Sequence, residues 1–61
     1  MPYVNIRVAG KLSRRQKKNI ARGVTEVIAR ETDKPESSIL IFIDEKSREN
    51  VASGGILLDG K

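Results

Sequence analysis

Pro2 stands directly behind Met1 in the opening run M-P-Y-V-N-I-R-V. On the residues alone, two readings of it are open. Proline is tolerated at the first residue of a strand. Alternatively, Pro2 is itself a functional residue presented at the start of the chain. The other chemistry-bearing side chains are cations. Half of the 12 basic residues fall between Lys11 and Arg22, namely Lys11, Arg14, Arg15, Lys17, Lys18 and Arg22. Such a segment attracts an anionic substrate or nucleic acid. The solvated face of a helix is the plainer reading and is preferred. No RNA-binding motif accompanies the charges, and the only aromatics are Tyr3 and Phe42. The chain has no Cys and no His. That removes disulfides, thiolate chemistry, the commonest transition-metal ligand and the commonest general base. The carboxylates are not spaced as a metal loop, so no metal is expected.

The elements that must position these residues follow from the apolar pattern. Val4, Ile6 and Val8 alternate with Tyr3, Asn5 and Arg7. Period two predicts a strand over 3–8. Ala9-Gly10-Lys11-Leu12 breaks the pattern and reads as a loop. Ser13-Arg14-Arg15-Gln16 is a capping-box sequence, so a helix follows. Ile20, Val24, Val27 and Ile28 give it one apolar stripe. Gly23 costs about 1 kcal/mol of helix propensity and suggests close packing against a neighbour. Pro35 disfavours helical geometry at Lys34, so the helix ends near Thr32-Asp33. The run Ile39-Leu40-Ile41-Phe42-Ile43 suits a strand buried on both faces. Residues 46–55, K-S-R-E-N-V-A-S-G-G, hold turn formers around Val51 and read as a short hairpin or irregular arm. A frayed tail is expected over 56–61.

Two strands joined through a helix of about twenty residues form a βαβ unit, with parallel strands and a right-handed crossover. The expected fold class is α/β (α+β), in a single domain spanning 1–61. A chain of 61 residues buries only about 60% of its unfolded surface. Small scaffolds normally add a staple, and here oligomerisation is the one left. One helix covers one face of a two-stranded sheet, so the doubly apolar second strand calls for another chain. No apolar run is long enough to cross a bilayer or act as a signal peptide, and a cytoplasmic protein is expected. The net charge is +4 and the pI about 9.9.

The order of parts resembles the 4-oxalocrotonate tautomerase family. The stretches that carry the resemblance are P-Y-V-N-I at the start, S-x-x-Q-K and V-T-E-V-I on the helix, D-K-P-E-S-S-I-x-I-x-I-x-E through the second strand, and the late G-G. Together they span essentially the whole chain without gaps. The resemblance implies a βαβ monomer with a C-terminal hairpin, assembled as a homo-oligomer, most often a hexamer built as a trimer of dimers. It implies that Met1 is removed and that Pro2 is the general base. The chemistry agrees. An internal proline is a tertiary amide, whereas an N-terminal proline is a secondary amine. A free α-amino group titrates near about 8, and an apolar pocket or nearby cations lower that value. Neutral amine is then present near neutral pH, as a general base requires.

The family's dicarboxylate-binding members hold substrate with two arginines. The ungapped match puts the first on Leu12, and a local shift puts it on Lys11. The second falls on Leu40, and the family's hairpin aromatic falls on Val51. Leucine cannot replace a bidentate guanidinium, and lysine is only a point charge. Lys11 leads the candidate carboxylate contacts, followed by Arg7 and Arg48. Leu40 and Val51 are candidate apolar walls. For each cation the plain alternative is a solvent-exposed charge. The expectation is therefore a cofactor-independent enol–keto tautomerase acting on a small 2-hydroxydienoate or enol acid, a monoacid rather than 4-oxalocrotonate. Two other readings stand beside it. One is an oligomeric module holding a polyanion on the Lys11–Arg22 segment. The other is a catalytically silent subunit assembled with an active paralogue.

Overall fold

The computed structural model describes residues 1–60. The alternating opening forms strand β1, Tyr3–Ala9, with its even-numbered residues half-buried. The capping box forms as its sequence requires. Gln16 N–H donates to Ser13 Oγ at 3.1 Å, and Ser13 N–H donates to Gln16 Oε1 at 2.8 Å. Helix α1 then runs Arg14–Thr32. It closes on Asp33 in the left-handed region, φ 56°, and Lys34 N–H still reaches the Ala29 carbonyl at 3.2 Å. Pro35 stops any continuation. A single 3₁₀ turn, Glu36–Ser38, leads into strand β2, Leu40–Lys46. Arg22 fastens that turn to the helix through a 2.7 Å contact with Glu36.

Strands β1 and β2 are parallel neighbours, in register from Tyr3 opposite Leu40 to Ala9 opposite Lys46. This is the expected βαβ unit. Both strands run further than hydropathy indicated. Ala9 belongs to β1 rather than to the loop, and β2 continues through Asp44-Glu45-Lys46 after the apolar run ends. Charged partners sustain the extension. Arg7 sits opposite Asp44, with Nε 3.5 Å from Oδ2. Glu45 faces the helix side. It accepts from Leu12 N–H at 2.7 Å and from Lys17 Nζ at 2.7 Å, tying the β1–α1 loop and the first helical turns to β2.

The C-terminal arm is an ordered hairpin. Strands β3, Ala52–Ser53, and β4, Ile56–Leu57, pair across Gly54-Gly55. Both glycines have positive φ, 59° and 83°, as a two-residue primed turn needs. Ile56 and Leu57 are thus paired rather than frayed, and Leu58 N–H returns to the Val51 carbonyl at 2.9 Å. Glycine permissiveness, not hydropathy, decides this segment.

The inner sheet face, Val4, Ile6, Val8, Ile41 and Ile43, is half-buried, as are Ile20, Val24 and Ile28 of α1. Val27 shares one groove of α1 with Ile20, Val24 and Ile28, as the stripe predicts, but is 46% exposed. No atom would meet a Cβ on Gly23 within 4 Å, so nothing in the same chain packs closely against it. The outer face is open. Tyr3 is 66%, Leu40 42% and Phe42 52% exposed, so β2 is covered on one face only within a single chain. Among the described residues none is fully buried. A folded monomer of 6.8 kDa exposes about 4000 Å²; this chain exposes 4928 Å². Its radius of gyration is 14.5 Å, against about 10–11 Å for a compact chain of this length. Among the described residues no helix is long and apolar enough to cross a membrane.

The Glu45 contact yields a pH prediction. The hydrogen bond from Lys17, then that from Leu12 N–H, holds its carboxyl below the ordinary value. A depressed folded value contributes stability above the unfolded carboxylate range, near about pH 4, and loses it as pH falls through the folded value. Glu45→Gln is therefore expected to lower Tm at pH 7. The parent and variant melting curves should converge under strongly acidic conditions. A separation that stays constant on acidification would contradict this.

Candidate functional site

The candidate residues divide between the two ends of the parallel sheet. At the first end stands Pro2, half-buried, with its carbonyl accepting Leu40 N–H at 3.0 Å. While Met1 is attached, the Pro2 nitrogen is an amide with no basic lone pair. The Leu40 side chain joins the outer apolar face beside Tyr3 and Phe42. The two rings lie 6.4 Å apart, tilted by 49°. Pro2 thus sits at the lip of an exposed apolar surface.

At the other end the sheet carries positive charge. Gly10, with φ 110°, turns the chain out of β1, and its N–H donates to the Lys46 carbonyl at 2.7 Å. The Arg48 side chain lies over it. A Cβ on Gly10 would fall 3.4 Å from the guanidinium nitrogens Nε and Nη2. Gly10, Lys11, Glu45, Lys46, Ser47 and Arg48 line a cavity of about 540 Å³. Val51 lines a second one of about 330 Å³, with Arg7, Val8, Ala9, Lys46 and Asn50. Glu45 does not neutralise this end freely, since Lys17 and Leu12 N–H already hold its carboxylate.

The structure brings Pro2 to Leu40 and gathers Lys11, Arg48 and Val51 at the far end. It does not bring the two sets together in one chain. Seven strand residues at about 3.3 Å each separate the ends by roughly 20 Å. Arg7 lies on the outer face nearer the charged end, beside Asp44, with its side chain 78% exposed. Leu12, at the family's first arginine position, is half-buried and points no charge anywhere. Asn50 closes the 3₁₀ turn Arg48–Asn50, its N–H donating to the Ser47 carbonyl at 2.9 Å. Among the described residues no three His, Cys, Asp or Glu side chains cluster to hold a metal ion.

Sequence reasoning passed over Lys46. It reads as the start of a turn-forming run, yet it ends β2 and lines both cavities at the charged end. Extending the parallel register past the apolar run would have found it.

A family model described as tautomerase enzyme matches residues 2–59. The chain belongs to the tautomerase family. A probable tautomerase of Bacillus cereus is 38% identical to it over 61 residues, covering all of both chains. A 2-hydroxymuconate tautomerase of Bacillus subtilis is 33% identical over 55 residues, covering 90% of this chain and 89% of the relative. Among solved structures, a heterohexameric 4-oxalocrotonate tautomerase from Chloroflexus aurantiacus is similar with TM-score 0.90 and 25% identity. That similarity covers 97% of this chain and 95% of the other. The βαβ unit and terminal hairpin of the chain are thus the tautomerase fold.

The tautomerase's charged end depends on Gly10. A side chain there meets a strained φ and the Arg48 guanidinium together. Gly10→Ala is expected to cost about 1–3 kcal/mol. Denaturant melts would show it, and an unchanged midpoint would contradict the assignment.

Proposed function

We propose that the chain is a cofactor-independent enol–keto tautomerase for a small 2-hydroxydienoate or enol acid, with Pro2 as its general base once Met1 is removed. The observation that carries this reading is the family match beginning at Pro2, where a proline is fixed at the lip of an apolar face. Freed of Met1, its nitrogen is a secondary amine. Apolar surroundings and the cations of the charged end both favour the neutral form. The amine takes the proton of the enol hydroxyl, and the electron pair moves through the conjugated system. The prolinium then returns that proton to carbon, giving the keto acid. The charge developing on oxygen is stabilised by a cation or a backbone N–H.

The same proposal includes assembly with further copies, as a homohexamer. The open Tyr3–Leu40–Phe42 face and the excess exposed area support it. A second copy also answers the roughly 20 Å gap, placing the Pro2 end of one chain against the charged end of another.

A second reading has its own support. The family's arginine positions hold Leu12 and Leu40 here, and the Chloroflexus relative is a heterohexamer. The chain would then be the silent partner in a mixed assembly. Native mass spectrometry of the purified chain separates the two. A stable homohexamer supports the first, and a lone monomer supports the second. In the homohexamer, Phe42→Asp is expected to shift the mass to smaller species, because it places charge on the apolar face.

The activity test is ketonisation of phenylenolpyruvate by protein whose mass verifies removal of Met1. Pro2→Ala is expected to lower kcat/KM roughly 100-fold or more, the usual range for a general base. Equal rates in parent and variant would remove Pro2 from the mechanism.

A further inference from the structure

Leu12 and Leu40 leave the carboxylate of a substrate without a guanidinium at either of those two positions. The structure offers another cation where a ligand fits. Lys46 is the residue common to both cavities at the charged end. Its backbone is fixed by the last rung of the sheet, opposite Ala9, with its carbonyl accepting Gly10 N–H at 2.7 Å. Its ammonium is paired only loosely with Asp44. Nζ lies 3.6 Å from Asp44 Oδ2, beyond a good hydrogen bond. The neighbouring cations are differently placed. Lys17 is held by Glu45 at 2.7 Å. Arg48 is folded over Gly10. Lys11 lines the larger cavity but is not among the residues of the smaller one.

We propose that Lys46 is the carboxylate anchor of this tautomerase and that it selects monocarboxylates whose carbon chain lies against Val8, Ala9 and Val51. The inference rests on the tautomerase reading for its substrate class. An ammonium carries three rotatable donors and holds one carboxylate without the fixed geometry of a guanidinium fork. The smaller cavity, about 330 Å³, sets that point charge beside Val8, Ala9 and Val51; Arg7 and Asn50 complete its lining, and the Arg7 guanidinium faces the Asp44 carboxylate, Nε 3.5 Å from Oδ2. Asp44 is the group that the ligand carboxylate displaces from Lys46. Displacement leaves Asp44 with a partner, because Arg7 Nε lies 3.5 Å from the same oxygen.

The test compares binding of trans-cinnamate and trans-cinnamamide, which share a shape and differ in charge. Both are titrated into the assembled Met1-free protein by calorimetry or NMR. In the parent, cinnamate is expected to bind at least about tenfold tighter than the amide, the scale of one charge-assisted hydrogen bond. Lys46→Gln brings the ratio close to one, Lys46→Arg keeps it, and Asp44→Asn raises it. A parent without preference for cinnamate, or a Lys46→Gln protein that retains the preference, overturns the proposal. So does Asp44→Asn with a reduced ratio, which remains readable if the Lys46→Gln chain does not assemble. Binding needs no proton transfer, so the two claims fail separately. A charge preference lost in Lys46→Gln, beside equal ketonisation by parent and Pro2→Ala, keeps the anchor and rejects the base. The reverse pattern rejects the anchor and keeps the base.

Discussion

A two-stranded sheet has two faces, and this chain has one helix to cover them. Everything else about the molecule depends on that shortage. On the inner face Val4, Ile6, Ile41 and Ile43 are half-buried, and none of the described residues becomes fully buried. The outer face keeps Tyr3, Leu40 and Phe42 in solvent. Apolar surface is worth about 25 cal/mol per Å² when covered, so burying side chains such as Tyr3, Leu40 and Phe42 outweighs a surface ion pair. The largest uncovered apolar side chains of the β1–β2 sheet are therefore the ones with most to gain from a second chain.

The same geometry separates the chemistry. Parallel pairing sends the starts of both strands to one end and their finishes to the other. Pro2 belongs to the first end by its place in the chain. The cations reach the second end through the turn at Gly10 and the continuation of β2 to Lys46. Glu45 sets how much of that charge remains available, since it takes up Lys17 and leaves Lys11, Lys46 and Arg48 around the cavities. Of the basic segment on the helix, Lys17 and Arg22 serve the fold, the second by holding the Glu36 turn. The cluster that looks like a polyanion site in the sequence is thus partly a set of structural fasteners.

Local rules made most of the fold legible. The period-two opening, the Ser13–Gln16 capping box and the break before Pro35 each act within a few residues, and each element forms where they place it. The ends of the strands were less readable. Hydropathy stops at Ile43, while β2 is carried three residues further by pairing with Arg7, Val8 and Ala9. That is a long-range cause. Ile56 and Leu57 looked frayed because their pairing depends on the turn chemistry of Gly54-Gly55 and not on their own pattern. The candidate residues were legible, but not their arrangement. Pro2 and the far-end residues Lys11, Arg48 and Val51 were named, but their separation by a full strand length was not. Lys46 was hidden because a lysine after an acidic pair reads as a turn until the register of its neighbour is known.

The central claim is that a working site is completed between copies, by Pro2 of one chain and the charged end of another. The direct measurement is complementation. Pro2→Ala protein and Val51→Asp protein, each disabled at one end, are unfolded, mixed and reassembled, and ketonisation is followed. A shared site predicts that the mixture exceeds the sum of the two separate activities, because mixed assemblies regenerate sites carrying neither change. A mixture equal to that sum would place both ends in one chain's own site and contradict the account.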